Sequence, residues 1–283
     1  MTLPNKKYTL KNGVTIPNLG FGTWQVPDGS AAYDAVAKAL EVGYRHIDTA
    51  AVYGNEKSVG KAIKNSGIPR EELFITTKLW NDSHSYGKAL AAFEASMEKL
   101  ELETLDLYLI HWPNPPYIRN HFEESTQETW SAMEKLYQSG KARAIGVSNY
   151  LPHHLDVLLK NATIVPMVNQ IRLYPGSFDQ KTIEYCVNHD ILLQAYSPLG
   201  KGNVLSAPEI LAIADRYEKT PAQVALRWSL QRNFLPLPKS VTPERMKENM
   251  NVFDFTLTDE DMHILNTMKN YGDELQNPDT TDF

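Results

Sequence analysis

Eight short β-rich runs recur along the chain, and helical patterns separate them. The runs are LGFGTW (19–24), HIDTA (46–50), LFITTKLW (73–80), LDLYLIHW (105–112), ARAIGVSN (142–149), MVNQI (167–171), ILLQAYS (191–197) and FLPLPKS (234–240). Between them, segments such as SAAYDAVAKALEVG (30–43) and YGKALAAFEASMEKL (86–100) place apolar residues at i, i+3, i+4 and i+7, the period of an amphipathic helix. Strands that alternate with helices pair in parallel through crossovers. Eight such units close most naturally into a (β/α)8 barrel, and 283 residues suit one such domain. The expected fold is therefore α/β: a single-domain (β/α)8 TIM barrel over residues 1–283. YTLKNGVTI (8–16) reads as an N-terminal β-hairpin, turning at Asn12-Gly13 in a type I′ turn. LTDEDMHILNTM (257–268) reads as an extra C-terminal helix with Thr258 as N-cap, and residues 270–283 as a polar tail. The competing fold is an open doubly wound sheet, whose nucleotide-binding forms carry G-x-G-x-x-G after the first strand. Gly20-Phe21-Gly22 and Gly200-Lys201-Gly202 both lack the third glycine.

Composition narrows the function. A net charge of −6 and a pI near 5.8 exclude a general nucleic-acid binder, which would be basic. Hydrophobic residues make up 42% and charged residues 22%, the balance of a soluble globular enzyme. A lone cysteine, Cys186, allows no intramolecular disulfide and suits a reducing compartment. The start, MTLPNKKYTL, has no apolar leader core, and no stretch approaches 18 uncharged apolar residues. A cytoplasmic protein without a membrane span is the expectation.

In a barrel, catalytic groups gather at the C-terminal ends of the strands. Three consecutive runs end in Asp48, Lys78 and His111, and Tyr53 follows Asp48 by five residues. Adjacent strands lie about 4.8 Å apart, so these ends are neighbours. Taken singly, each has an ordinary alternative as a turn former, a solvated cation or a structural histidine. Convergence on one rim weakens those alternatives. The chemistry they suggest is proton donation. A Lys78 ammonium beside the phenol is expected to lower the Tyr53 pKa from about 10. Asp48 would pair with Lys78 and keep it charged despite burial. The His111 imidazole can donate a hydrogen bond to a substrate oxygen. An aldehyde or ketone accepting hydride has an oxygen that gains negative charge and needs a proton.

KSVTPERMKEN (239–249) reads as an anion site or, more plainly, as a solvated helix start. Thr242 would be the N-cap and Pro243 the first helical residue. Lys239, Ser240 and Arg245 add donors to the free N–H groups of that helix end. Arg245, Glu248 and Asn249 are spaced to share one face.

GYRHIDTAAVYGNE, ITTKLWN, LYLIHWP, IGVSNY, VNQIRLYP, AYSPLG and LPKSVTPERMKEN occur in that order. With them the sequence resembles the aldo-keto reductase family over nearly its whole length. NVFDFTLTDED (251–261) points further to the bacterial 2,5-diketogluconate reductase-like branch. The resemblance implies a barrel that reduces aldehydes and ketones with NADPH. It implies a catalytic tetrad of Asp48, Tyr53, Lys78 and His111, with Tyr53 as general acid. Ser148, Asn149 and Gln170 would bind the nicotinamide carboxamide, and Tyr196 would stack on its ring. Ser197, Leu199 and Gly200 would line the pyrophosphate, with Gly22 and Thr23 also in the cofactor site. Lys239, Ser240, Val241, Thr242, Arg245, Glu248 and Asn249 would hold the 2′-phosphate and adenine. Trp24, Trp80 and Trp112 would wall the substrate pocket beside His111.

Two departures stand out. The segment GKGNVLSAPEI (200–210) is shorter than the cofactor-covering loop of vertebrate members, and Gln25 replaces a lysine that closes it. Looser cofactor clamping is the expectation. His153-His154 and His111 with His121 do not match metal spacings such as H-E-x-x-H, so no metal is expected. The expected partner is a small-molecule carbonyl substrate, with no nucleic acid and no membrane, and the expected state is a monomer. The alternative function is an NADPH-binding module with little catalysis. A Schiff-base enzyme built on Lys78 would leave Tyr196 and the anion site unused.

Overall fold

Alternation along each strand sends every second side chain inward, and the inward set decides what this barrel encloses. The protein is described by a computed structural model covering residues 7–283. Strands β1 (Lys7–Thr9) and β2 (Thr15–Pro17) form an antiparallel hairpin. The barrel strands are β3 (Phe21–Gly22), β4 (His46–Asp48), β5 (Phe74–Leu79), β6 (Leu107–Ile110), β7 (Ile145–Ser148), β8 (Val168–Arg172), β9 (Leu192–Tyr196) and β10 (Leu235–Leu237). Each pairs in parallel with the next in chain order. The Gly20 and Gly22 N–H groups donate to the Pro236 and Pro238 carbonyls at 3.1 Å, which joins β3 to β10 and closes the ring. Prolines offer acceptors only, so this seam is bonded in one direction. Gly20 suits this close approach, because a Cβ would sit 2.5 Å from Leu237 Cδ2 and 2.6 Å from His46 Nδ1 and both buried side chains would have to shift.

Helices α1 (Ser30–Val42), α2 (Glu56–Asn65), α3 (Tyr86–Leu100), α4 (Phe122–Gln138), α5 (Pro152–Leu159) and α6 (Gln180–Asn188) fill successive crossovers. Two helices, α7 (Pro208–Tyr217) and α8 (Pro221–Gln231), connect β9 to β10. α9 (Pro243–Met250) and α10 (Asp259–Thr267) follow. The Thr258 side chain caps α10 as its sequence suggests, accepting from the Asp261 N–H at 3.2 Å. Thr242 stands at the N-cap position of α9 but its side chain caps nothing. Instead the Ser240 hydroxyl accepts from the Thr242 N–H at 3.0 Å. The hairpin turn also differs from the expected type I′. Leu10 N–H bonds to Val14 O and Gly13 N–H to Leu10 O, a three-residue loop with Gly13 at φ 85°. A type I′ turn needs positive φ at Asn12 too, and the backbone does not adopt it. The Asn12 amide is used otherwise: it donates to Arg143 O at 2.9 Å and fastens the hairpin to the barrel.

Two apolar layers result. Outward-facing Ile47, Ile75, Leu79, Tyr108, Ile110, Ile145 and Val147 pack in the shell that includes the helices. Inward-facing Phe74, Leu107, Leu109, Val168, Leu235 and Leu237 fill the lower barrel with Leu10 and Ile16 of the hairpin. Each such side chain contributes about 1.5–3 kcal/mol on burial. Higher up the same inward positions become polar. His46 meets Thr76 at 3.0 Å, and above them lie Asp48, Lys78, Gln170 and Gln194. The switch from apolar to polar inside one closed barrel places the chemistry at its C-terminal mouth.

Candidate active site

Lys78 is fully buried, and its Nζ donates to Asp48 Oδ1 at 2.6 Å and to Thr49 O at 2.8 Å. The second carboxylate oxygen of Asp48 accepts from Gln170 Nε2 at 2.8 Å, which also meets Gln194 Oε1 at 2.9 Å. An ammonium buried without a counter-charge would be costly, so this pairing is the condition for placing lysine here. Burial pulls the Lys78 pKa below its ordinary 10.5, while Asp48 and then Glu56 oppose the drop.

Tyr53 ends a 3-10 turn, Ala51–Tyr53, and Gly54 at φ 70° stops it. The buried Asn55 amide then locks the segment. It accepts from Thr49 Oγ1 at 2.8 Å and donates to Thr23 O and Val26 O. The Tyr53 ring lies 5.2 Å from Lys78 Nζ and 5.8 Å from the His111 ring. Asp48, Tyr53, Lys78 and His111 are therefore brought together as their strand-end positions suggested. The expected pKa effect is reversed. Burial foremost, then the charge of Asp48 and the Tyr196 phenol, hold the Tyr53 pKa well above 10. Asp48 at 2.6 Å compensates the ammonium that was expected to lower it. The phenol is thus protonated at neutral pH, the form a proton donor needs. Burial and the Lys78 charge hold His111 well below its ordinary 6.5, so its imidazole is neutral. Its Nδ1 is buried without a protein partner.

On the opposite strands, Ser148, Asn149, Gln170 and Tyr196 form one network. Ser148 Oγ donates to Gln170 O at 2.7 Å, Asn149 Nδ2 donates to His111 O at 3.0 Å, and Tyr196 OH donates to Asn149 Oδ1 at 2.9 Å. Asn149 and Ser197 both hold positive φ, 62° and 47°, at strand ends. Such backbone is sparsely populated and clusters at functional sites. Gly22 and Thr23 lie at the end of β3, and Ser197, Leu199 and Gly200 follow β9, with β10 between the two strands. Lys201 reaches from the segment after β9 to the one after β3. Its Nζ lies 5.6 Å from the Trp24 ring and 2.8 Å from Asp273 Oδ2. A cation is thus supplied from the short loop itself, although Gln25 lacks one.

At α9, Lys239, Val241 and Arg245 are exposed, Ser240 is buried and Thr242 is half-buried. Arg245, Glu248 and Asn249 all lie within the regular helix α9, but they differ in exposure, and Arg245 is exposed. Asn249 is buried, and Glu248 Oε1 accepts from Thr220 Oγ1 at 2.7 Å. Helical spacing puts the three on one side of α9, and packing beside α8 covers Glu248 and Asn249 while Arg245 stays open. Trp80 and Trp112 form one wall through a shared neighbour, and Lys201 Nζ lies over the Trp24 ring. A third aromatic that sequence reasoning missed completes that wall. Phe283 stacks on Trp80 at 6.1 Å and meets Trp112 edge-on at 5.0 Å. No local pattern marks Phe283, because its partners lie about two hundred residues away. Asn55 and Gln194 were also missed; the GNE triplet after Tyr53 was the available signal for the first.

Comparison with known proteins agrees with this geometry. The sequence profile described as the Aldo/keto reductase family matches residues 18–270. A 9,11-endoperoxide prostaglandin H2 reductase of Trypanosoma cruzi is 48% identical over 276 residues, 95% of this chain and 94% of that protein. A glyoxal reductase of Bacillus subtilis is 46% identical over 270 residues, covering 95% of each. A solved structure of a Gox0644 variant in complex with NADPH superposes with a TM-score of 0.90 at 39% identity, covering 99% of both chains.

Proposed function

Since the chain belongs to the aldo/keto reductase family, we propose that its mouth is the active site of an NADPH-dependent reductase of aldehydes and ketones, with Asp48, Tyr53, Lys78 and His111 as the catalytic tetrad. The observation that carries the assignment is the buried Asp48–Lys78 pair set beneath a protonated phenol and a neutral imidazole. The cofactor fits the donors present. Ser148, Asn149, Gln170 and Tyr196 would hold its nicotinamide end, and Gly22, Thr23, Ser197, Leu199 and Gly200 its pyrophosphate. Exposed Lys239 and Arg245, with Ser240, Val241 and Thr242, suit the adenosine 2′-phosphate, and Arg is matched to phosphate as a fork. Glu248 and Asn249 act there by shaping α9. Bound there, NADPH supplies the hydride that reduces the carbonyl carbon.

The protein's own part is proton transfer and positioning. His111 donates a hydrogen bond to the carbonyl oxygen, and its neutrality leaves one N–H for this task. Tyr53 gives its proton to that oxygen as negative charge develops on it. A phenol with a raised pKa still donates readily to an alkoxide, which is far more basic. The new phenolate is then stabilised by the Lys78 ammonium, which Asp48 keeps charged. Trp80, Trp112 and Phe283 bound the pocket and favour small or moderately apolar carbonyls. All of these groups come from one barrel, so the chain is read as one domain acting as a monomer. The unpaired, buried Cys186 suits a cytoplasmic setting. No helix among the described residues is long and apolar enough to cross a membrane.

Tyr53→Phe tests the reading. It should bind NADPH as tightly as the parent, by fluorescence titration, while kcat falls about 10²–10⁴-fold. Retained turnover in the purified variant would remove Tyr53 from the acid role. A parent that binds NADPH but oxidises it with no small aldehyde, diketone or sugar would mark a binding module instead.

A further inference from the structure

The tail crosses the barrel mouth against the order of the strands, and each crossing is pinned. Arg172, ending β8, donates to Asp273 O and, at 3.0 Å, to Glu274 O. Asp279 reaches α5, beyond β7. Arg119, beyond β6, donates to Thr281 O. Asn81, just after β5, donates to Phe283 O at 2.8 Å. The strap therefore ends by laying Phe283 on Trp80, whose own ring lies 5.2 Å from His111.

The densest pin is Asp279. Its Oδ1 accepts from Asn114 Nδ2 at 2.9 Å and lies 2.8 Å from His154 Nε2, and its Oδ2 lies 3.0 Å from His153 Nε2. Two histidines and a carboxylate this close resemble a metal site. The tautomer of His154 argues otherwise. Its Nδ1 accepts from the Leu151 N–H at 3.1 Å and so carries no proton. Burial foremost holds its pKa down to about 4, so the ring is neutral and its single proton sits on Nε2. A metal needs a lone pair at that atom, whereas Asp279 receives an N–H from it. The cluster is a hydrogen-bonded clasp.

We infer that Asp279 is a positioning residue for the carbonyl pocket: clasped by His153, His154 and Asn114, it seats Phe283 as a fixed wall on Trp80 and Trp112 and so sets the size of carbonyl that reaches Tyr53. The inference rests on the reductase reading of the same site. Asp279 touches none of the tetrad and acts through the tail alone.

A double-mutant cycle isolates that route. Asp279→Ala should raise KM roughly tenfold for a small dicarbonyl such as methylglyoxal, with kcat within about twofold and NADPH affinity unchanged. For a bulky aryl aldehyde KM should stay level or fall. In a Phe283→Ala background, Asp279→Ala should change KM less than about twofold, because the wall it seats is gone. Asp279→Asn keeps an acceptor for His154 Nε2 and should restore most of the parent KM. Full additivity in the double variant overturns the inference, as does a small-substrate KM unmoved by Asp279→Ala. Treatment of the parent with EDTA should leave KM unchanged; a change would hand the cluster to a metal and overturn the clasp. Hydrogen exchange of residues 275–283 reads tail seating without turnover. Faster exchange is expected in Asp279→Ala, and unchanged exchange overturns the inference even if no carbonyl proves to be a substrate.

Discussion

Replacing Asp48 by asparagine removes the only carboxylate bonded to the Lys78 ammonium among the described residues and changes little in volume. Both partners are buried, with side-chain exposures of 0% and 5%, so bulk water does not substitute for the lost charge. Removing one member of a buried pair typically costs about 3–5 kcal/mol. A ceiling comes from the lysine itself. Lys78 can escape by releasing its proton, and at pH 7 that costs about (10.4 − 7) × 1.36 ≈ 4.6 kcal/mol relative to the unfolded chain. Urea unfolding of Asp48→Asn at pH 7 should therefore show a loss near 3–5 kcal/mol at constant m. The sign of the pH effect follows. In the variant the folded state carries a neutral Lys78 and the unfolded state a protonated one, so the unfolded state binds more protons. Stability then rises with pH, and the deficit relative to the parent should shrink by about 1.4 kcal/mol per unit between pH 7 and 10. A deficit below about 1 kcal/mol, or one independent of pH, would show that Asp48 does not keep Lys78 charged.

Arg245→Ala should weaken NADPH binding about tenfold or more and leave NADH within about twofold, read by fluorescence titration at fixed salt; equal losses for both would remove Arg245 from the 2′-phosphate site. The parent should also lose stability on mild acidification. Burial holds His46 at about 3 and His84 and His154 at about 4, so each is neutral when folded and protonated when unfolded below about 6.5. Each then costs about 1.4 kcal/mol per pH unit from about pH 6.5 down to its folded value. Denaturant midpoints that stay level from pH 7 to 5 would contradict that burial.

Much of the site was legible because it lies at strand ends. Asp48, Lys78 and His111 each close an apolar run, and β-alternation alone puts all three inside. Their mutual approach follows from barrel closure, which periodicity already implied. The electrostatics were not legible. The Tyr53 pKa depends foremost on how deeply the ring is buried and then on which neighbouring charge is compensated, and only the closed site with its 2.6 Å pair decides both. Helical spacing likewise grouped Arg245, Glu248 and Asn249, but only packing beside α8 decided that Arg245 is the exposed one of the three.

By itself, the amino-acid order determined the alternation of elements, the inward parity of the strands and the polar rim, because these depend on residues within one or two turns of each other. The tertiary structure alone decided the seating of Phe283 on Trp80 and Trp112, the clasp on Asp279 and the bridge from Lys201 to Trp24. Each of these joins segments more than a hundred residues apart. No local propensity encodes such a contact; it exists only once the barrel has closed and its mouth gives the tail a surface to cross.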